Sequence, residues 1–239
     1  MMFQNREEAG HCLASALQQY RDHTDGVILA LPRGGVAVGY AMSLDLHLPL
    51  DVFIVRKIGA PENPEYALGA ISETGNIYLN PEAGGAFGLS HADIEELAKV
   101  QREEILRRQR LYRRGRPPRT LKDRLVILTD DGIATGATFF ASVEAIRRQQ
   151  PRSLLAAIPV APLEIIDRVK AVVDELVVIT TPDRFWSVGG YYVEFGQVSD
   201  EEVVNDLLLA DRAVHERAER VSATRSQRYS NESQRSIKK

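Results

Sequence analysis

Two carboxylates stand side by side at the end of an apolar run. Val126, Ile127, Leu128 and Thr129 lead to Asp130 and Asp131, and residues 132–138, Gly-Ile-Ala-Thr-Gly-Ala-Thr, follow before a helix-like stretch. The N–H groups of such a loop, at the positive end of the helix after it, suit a terminal phosphate. The Thr135 and Thr138 hydroxyls can add donors, and a carboxylate pair beside the loop suits the vicinal hydroxyls of a ribose. The chemistry is that of a sugar phosphate site. Taken alone, an Asp pair also fits a magnesium site or a plain helix N-terminus. Gly136 is followed by Ala137 rather than by Lys and Ser or Thr, which disfavours a P-loop, and the three-glycine dinucleotide fingerprint is absent.

Positioning such a pair requires strands that end at one edge. Short apolar runs alternate with helical patterns, which predicts an α/β fold, doubly wound around a mainly parallel sheet. Strands are expected at 26–31, 50–56, 124–129, 153–160 and 175–180. Helices are expected from the Pro32-Arg33-Gly34-Gly35 turn to about Leu46, and over 137–149 and 163–173. Residues 59–88 interrupt the alternation with six Gly, three Pro and a hairpin pattern, 67–71 and 76–79 around Thr74-Gly75. A loop of that length inside a compact domain is usually functional or mobile. Ser90 reads as the N-cap of a helix to about Tyr112, acidic at its start and basic at its end. An irregular aromatic stretch, 185–195, precedes a last helix over about 200–220. The expected organisation is one domain over 1–221, with a flexible lid and helical insertion over about 59–116. A small C-terminal hood over about 182–199 joins the last helix, and a disordered tail covers 222–239.

The chain has 239 residues, 30 basic against 33 acidic, so nothing global argues for nucleic acid or an anionic membrane. One cysteine, Cys12, excludes an intramolecular disulfide framework, and the five histidines show no paired-ligand spacing. No dedicated metal site is expected. No apolar run approaches ~18 residues and the N-terminus lacks the order of a signal peptide, so a cytoplasmic setting is expected.

Over 126–138 the chain resembles the type I phosphoribosyltransferases, whose signature is an apolar strand, two acidic residues and a phosphate loop of the form apolar, small, Thr, Gly, any, Ser/Thr. Gly132 departs from it where a branched apolar residue is usual. The resemblance implies that Asp130 and Asp131 hold the ribose hydroxyls of 5-phosphoribosyl pyrophosphate (PRPP), while Ala134, Thr135, Gly136, Ala137 and Thr138 bind its 5′-phosphate. Arg33, Gly34 and Gly35, in a loop that often carries a non-proline cis peptide, would bind pyrophosphate. Of the pair Arg56-Lys57, Lys57 is the first choice for a further pyrophosphate contact, ahead of a loop that closes over the reacting centre. Glu65, Tyr66 and Glu73 are candidate lid contacts. Residues 181–191 look like the segment of hypoxanthine-guanine phosphoribosyltransferases that stacks an aromatic on the purine, a role that would fall to Phe185 or Trp186. The bland reading of these aromatics is burial beneath a hood.

By the same resemblance, Asp130, Asp131, Arg33 and Lys57 form the catalytic set. The 5-phosphoribosyl group would pass to a nitrogenous base or related nucleophile with release of pyrophosphate. Mg²⁺ would arrive mainly on PRPP, the partners would be PRPP and a small-molecule acceptor, and a homodimer follows by analogy. Purine enzymes commonly carry an Asp where this chain has Ala134, and a Lys where it reads Pro-Val-Ala-Pro over 159–162. The resemblance therefore leaves the acceptor open.

A rival from another class is a PRPP-sensing or RNA-binding regulator on the same fold. Residues 102–124 hold ten Lys or Arg against three acidic residues, and charge reversal at Arg113 and Arg114 would test such a surface. The plainer reading is the solvated side of an amphipathic helix with Ile94, Leu97, Ile105 and Tyr112 facing inward.

Overall fold

The computed structural model describes residues 1–61, 63–80 and 90–236, the side chains at 63–67, 91 and 221–236 excepted. Five strands are parallel: β1 (Gly26–Ala30), β2 (Leu50–Val52), β6 (Leu125–Thr129), β7 (Ser153–Val160) and β8 (Glu175–Thr180), in the order β2-β1-β6-β7-β8. Strand β1 is buried throughout, and its side chains feed two cores in alternation. Ile28 and Ala30 join one core; Val27 and Leu29 join the other. This is the expected behaviour of a strand covered on both faces.

On the first face lie α1 (Arg6–Ala16), α2 (Gly34–Leu46), α3 (His91–Arg113) and α6 (Asp200–Ser236), through residues such as Leu13, Met42, Ile105 and Val203. On the second lie α4 (Ala137–Arg147) and α5 (Leu163–Lys170), through Phe139, Ile146, Ile165 and Val169. The α/β, doubly wound reading holds, with three differences.

The apolar run 50–56 is not one strand. Phe53 N–H still donates to the Ala30 carbonyl at 3.0 Å. Val55 then pairs with Ser72, so β3 (Val55–Ala60) leaves the main sheet for an antiparallel one with β4 (Asn63–Ser72) and β5 (Ile77–Leu79). The run stays apolar because both partners bury it, and so it hides the change. Helix α1, absent from the expected elements, is capped by Asn5, whose side chain accepts from Glu8 N–H. Helix α6 continues to Ser236, past the end expected at about 220 and through the stretch 222–236 expected to be disordered; no Pro or Gly interrupts it there. Residues 81–89 of the anticipated lid and 237–239 lie outside the described residues.

From β1 the chain turns through α2 to β2 on one side, whereas β6 lies on the other. The strand order therefore reverses between β1 and β6. In open α/β sheets that point, at the carboxyl ends of the strands, is where ligands bind.

Candidate active site

Strands β1 and β6 run in register, Ala30 opposite Thr129, and Leu31 N–H donates to the Thr129 carbonyl at 3.0 Å. The Pro32-Arg33-Gly34-Gly35 turn and the Asp130-Asp131 pair, almost a hundred residues apart, thus leave the sheet together. They touch more closely than any side chain would allow. A Cβ at Gly34 would stand 1.9 Å from Asp131 Oδ2, and one at Gly35 would stand 2.8 Å from Asp130 Cα. The Pro32–Arg33 peptide is cis.

Two helices begin at this crevice without a side-chain cap, α2 after Arg33 and α4 after Gly136, whereas Asn5 and a Ser90–Asp93 capping box close α1 and α3. At α4 the first-turn N–H groups are left available to an anion, whereas at α2 Gly35 N–H donates to the Leu31 carbonyl and Val36 N–H to the Arg33 carbonyl, both at 3.1 Å. Gly136 takes φ +80°, the left-handed conformation that glycine adopts without steric cost. Ala134 and Thr135 are exposed ahead of it, and Ala137 and Thr138 are half-buried after it.

The acidic pair is short of positive charge. Asp131 N–H donates to Asp130 Oδ1 at 2.8 Å. Arg6 Nε donates to Asp131 Oδ2 at 2.8 Å and Arg6 Nη1 to the Gly196 carbonyl at 2.9 Å. The Arg6 guanidinium lies 3.9 Å from the centre of the Phe195 ring, which stacks on Tyr192 at 5.0 Å. Tyr192 O–H donates to the Asp131 carbonyl at 2.6 Å. Burial, and then the Asp131 charge, push the Asp130 carboxyl well above the usual carboxylate range. Burial also raises Asp131, against the opposing hydrogen bond and charge of Arg6. A crevice that penalises its own carboxylates is prepared for hydroxyl donors or for added positive charge.

Beyond Arg33, side chains alternate along β3. Arg56 falls on the α3 face, where its Nε donates to Gln101 Oε1 at 3.0 Å. Lys57 falls on the opposite face with Val55, which packs in the core containing Phe139 and Phe140 of α4.

Residues 3–195 match the family described as "Phosphoribosyl transferase domain". The chain belongs to this phosphoribosyl transferase family. A protein of Mycobacterium tuberculosis H37Rv, provisionally named a phosphoribosyl transferase, is 40% identical over 211 residues, covering 88% of this chain and 47% of its own length. The chain thus spans about half the length of the curated relatives it matches. The crystal structure of TT1426 from Thermus thermophilus is 42% identical, with a TM-score of 0.74, and the match covers 87% of this chain and 98% of that one.

Within the phosphoribosyl transferase fold, Gly132 has a local explanation. A Cβ there would stand 2.6 Å from Val188 Cγ1, so a hood side chain fills the space of the branched residue usual in the signature. Phe185 stacks on Tyr191 at 5.7 Å, and Trp186 is 91% exposed. Glu73 is not placed for a lid contact. Its side chain is buried against Arg113, 2.8 Å away, and accepts from Ile54 N–H. The side chains of Glu65 and Tyr66 lie outside the described residues. Arg113, anticipated on a solvated basic face, is 4% exposed and bonds Asp51, Glu73 and the Val52 carbonyl. Charge reversal there would test folding rather than RNA binding. Ile94, Leu97, Ile105 and Tyr112 do pack inward.

Arg6, Tyr192 and Phe195 are neighbours of the pair that the sequence does not announce. Arg6 sits in the first turn of a helix and carries no motif, so only tertiary structure connects it with Asp131.

Among the described residues no group of three or more His, Cys, Asp or Glu is placed to hold a metal ion, and no helix is long and apolar enough to cross a membrane.

Proposed function

We propose that the protein binds PRPP with Mg²⁺ and transfers its 5-phosphoribosyl group to a nitrogen nucleophile, releasing pyrophosphate. The observation that carries this reading is the contact of Gly34 and Gly35 with Asp131 and Asp130. It sets a loop suited to pyrophosphate against a carboxylate pair suited to ribose, with the uncapped start of α4 next along the chain for the 5′-phosphate.

In this mechanism Asp130 and Asp131 accept hydrogen bonds from the ribose hydroxyls, and residues 134–138 fix the 5′-phosphate through N–H groups and the Thr135 and Thr138 hydroxyls. Arg33, the Gly34 and Gly35 amides and Lys57 hold the pyrophosphate as the anomeric C–O bond lengthens, Gly35 N–H giving up its bond to the Leu31 carbonyl. Positive charge spreads over the ribose ring beside the carboxylates, and the nucleophile arrives from the opposite face. Catalysis rests on positioning and preorganised charge. Among the described residues Arg6 is the cation that acts on both carboxylates, so the pair tolerates further positive charge, and Mg²⁺ bound with PRPP would supply neutralisation of the leaving group. Phe185 and Trp186 are the proposed base-stacking residues. A cytoplasmic location and a homodimer belong to the same proposal, the latter checked by sedimentation.

The test is a PRPP turnover screen across purines, pyrimidines and related nucleophiles, with Asp130→Asn and Asp131→Asn as controls. Base-dependent pyrophosphate release, lost in both controls, is the expected result. Absence of turnover with every nucleophile, together with unchanged PRPP binding by the controls, would remove the transferase reading.

A further inference from the structure

Helix α3 lies in the insertion to which no role in the reaction is assigned, yet it meets the pyrophosphate loop through one carboxylate. Asp200, the first residue of α6, accepts from Arg107 Nη2 at 2.8 Å and from Tyr112 O–H at 2.5 Å, and its Oδ1 lies 3.9 Å from Arg33 Nη1. A cation of the loop after β1 and a cation of α3 therefore share a single anion. Next to Arg107, Arg108 is 11% exposed at its side chain and donates to Glu104 Oε1 at 2.6 Å. Arg56 approaches from β3 through Gln101. Burial lowers the pKa of Arg56, and the nearby charges of Arg108 and Arg33 add to the effect. Among the described residues, Arg33, Arg56, Arg107 and Arg108 share ion pairs or close charges with two carboxylates, Glu104 and Asp200. The excess of guanidinium lies beside the uncapped start of α2.

Resting on the reading above, we infer that α3 completes the pyrophosphate subsite, with Arg56, Arg107 and Arg108 joining Arg33 as ligands and Asp200 acting as a resident carboxylate that the anion displaces. Guanidinium forks match phosphate oxygens bidentately, and a multiply charged diphosphate outcompetes a single carboxylate for them. Tyr112 can donate to a phosphate oxygen as it now donates to Asp200. The exchange breaks no covalent bond, and Glu104 remains to hold Arg107 and Arg108 in place.

The test is calorimetric titration of the full chain with inorganic pyrophosphate in Mg²⁺ and, separately, with ribose 5-phosphate. Arg108→Gln weakens pyrophosphate binding by about tenfold or more, the scale of a lost charged hydrogen bond, with Arg108→Lys intermediate. Asp200→Asn tightens pyrophosphate binding several-fold, and neither change alters ribose 5-phosphate binding. The inference is overturned if Arg108→Gln leaves pyrophosphate binding unchanged, if both ligands weaken alike, or if Asp200→Asn weakens pyrophosphate binding. Should Arg108→Gln fail to fold, Arg108→Lys and Asp200→Asn carry the test with their opposite signs. Intact pyrophosphate binding without PRPP turnover by any nucleophile would sink the transferase reading and leave this subsite standing.

Discussion

At Gly34 a missing side chain decides whether the site exists. Alanine there would drive its Cβ into the Asp131 carboxylate and to 2.9 Å from Arg6 Nε. Gly34→Ala is therefore expected to cost about 1–3 kcal/mol through overpacking and to weaken both pyrophosphate and ribose 5-phosphate binding. At Gly190 the nearest atom a Cβ would meet is Ser187 Oγ at 3.7 Å, so Gly190→Ala should stay within about 0.5 kcal/mol. Equal melting temperatures for the two variants would contradict the close approach of the loops. Asp130 presents the opposite case, a residue kept at the expense of stability. Its carboxyl titrates above the ordinary range in the folded chain, so the stability it contributes is fully present below the unfolded-state value and is lost as pH rises through the folded-state one. Asp130→Asn removes that loss. The variant should melt with the parent in acid, pull above it as pH rises through the titration range of the pair, and lose ribose 5-phosphate binding throughout. A parent that melts higher than Asp130→Asn at neutral pH would show that the carboxylate stabilises the unliganded fold.

Helix α3 is anchored by a charge network that its sequence presents as part of a basic surface. Arg113 bonds Asp51 Oδ1 at 3.0 Å, Glu73 Oε1 at 2.8 Å and the Val52 carbonyl at 2.7 Å, joining the insertion to the edge of the main sheet. Removing the cation strands two carboxylates, so Arg113→Met should cost about 3–5 kcal/mol in urea unfolding. Adding Glu73→Leu should recover part of that, since one stranded charge disappears. Additive losses in the double variant would mean that the two side chains do not act together. The same elements show what a sequence makes legible. The strand ahead of Asp130 and the capping box at Ser90 are local patterns, readable because the physics that makes them is local. Asn5, with Glu7 and Glu8 after it, is an equally local signal for α1, a helix missing from the expected set. The partner switch between β2 and β3 and the burial of Arg113 depend on residues far away in the chain, and no window of sequence contains them.

In the whole molecule, the beginning of the chain closes over the end of the matched family region. Phe3 is fully buried, its N–H donates to the Tyr191 carbonyl at 2.8 Å, and its carbonyl accepts from Val193 N–H at 2.9 Å. It packs 5.4 Å from the Tyr192 ring, within a small cluster with Ala9 and Val160 that is distinct from the two sheet cores. Two residues after Phe3's neighbour Gln4, Arg6 reaches Asp131, so hood, N-terminal segment and acidic pair are held by one short stretch. A satellite cluster of this kind can open without unfolding the sheets, because its loss exposes little of either main core. Phe3→Ala should therefore increase amide hydrogen exchange across 188–196 and in the first turn of α1, while exchange in β1 and β6 stays protected. It should also weaken ribose 5-phosphate binding in the same direction as Arg6→Gln, because Asp131 loses its oriented partner in both. The double variant should bind little worse than either single one. Exchange rising evenly over all strands would show that the hood shares the global unfolding unit. Additive losses in the double variant would show that Phe3 does not act on the acidic pair through Arg6.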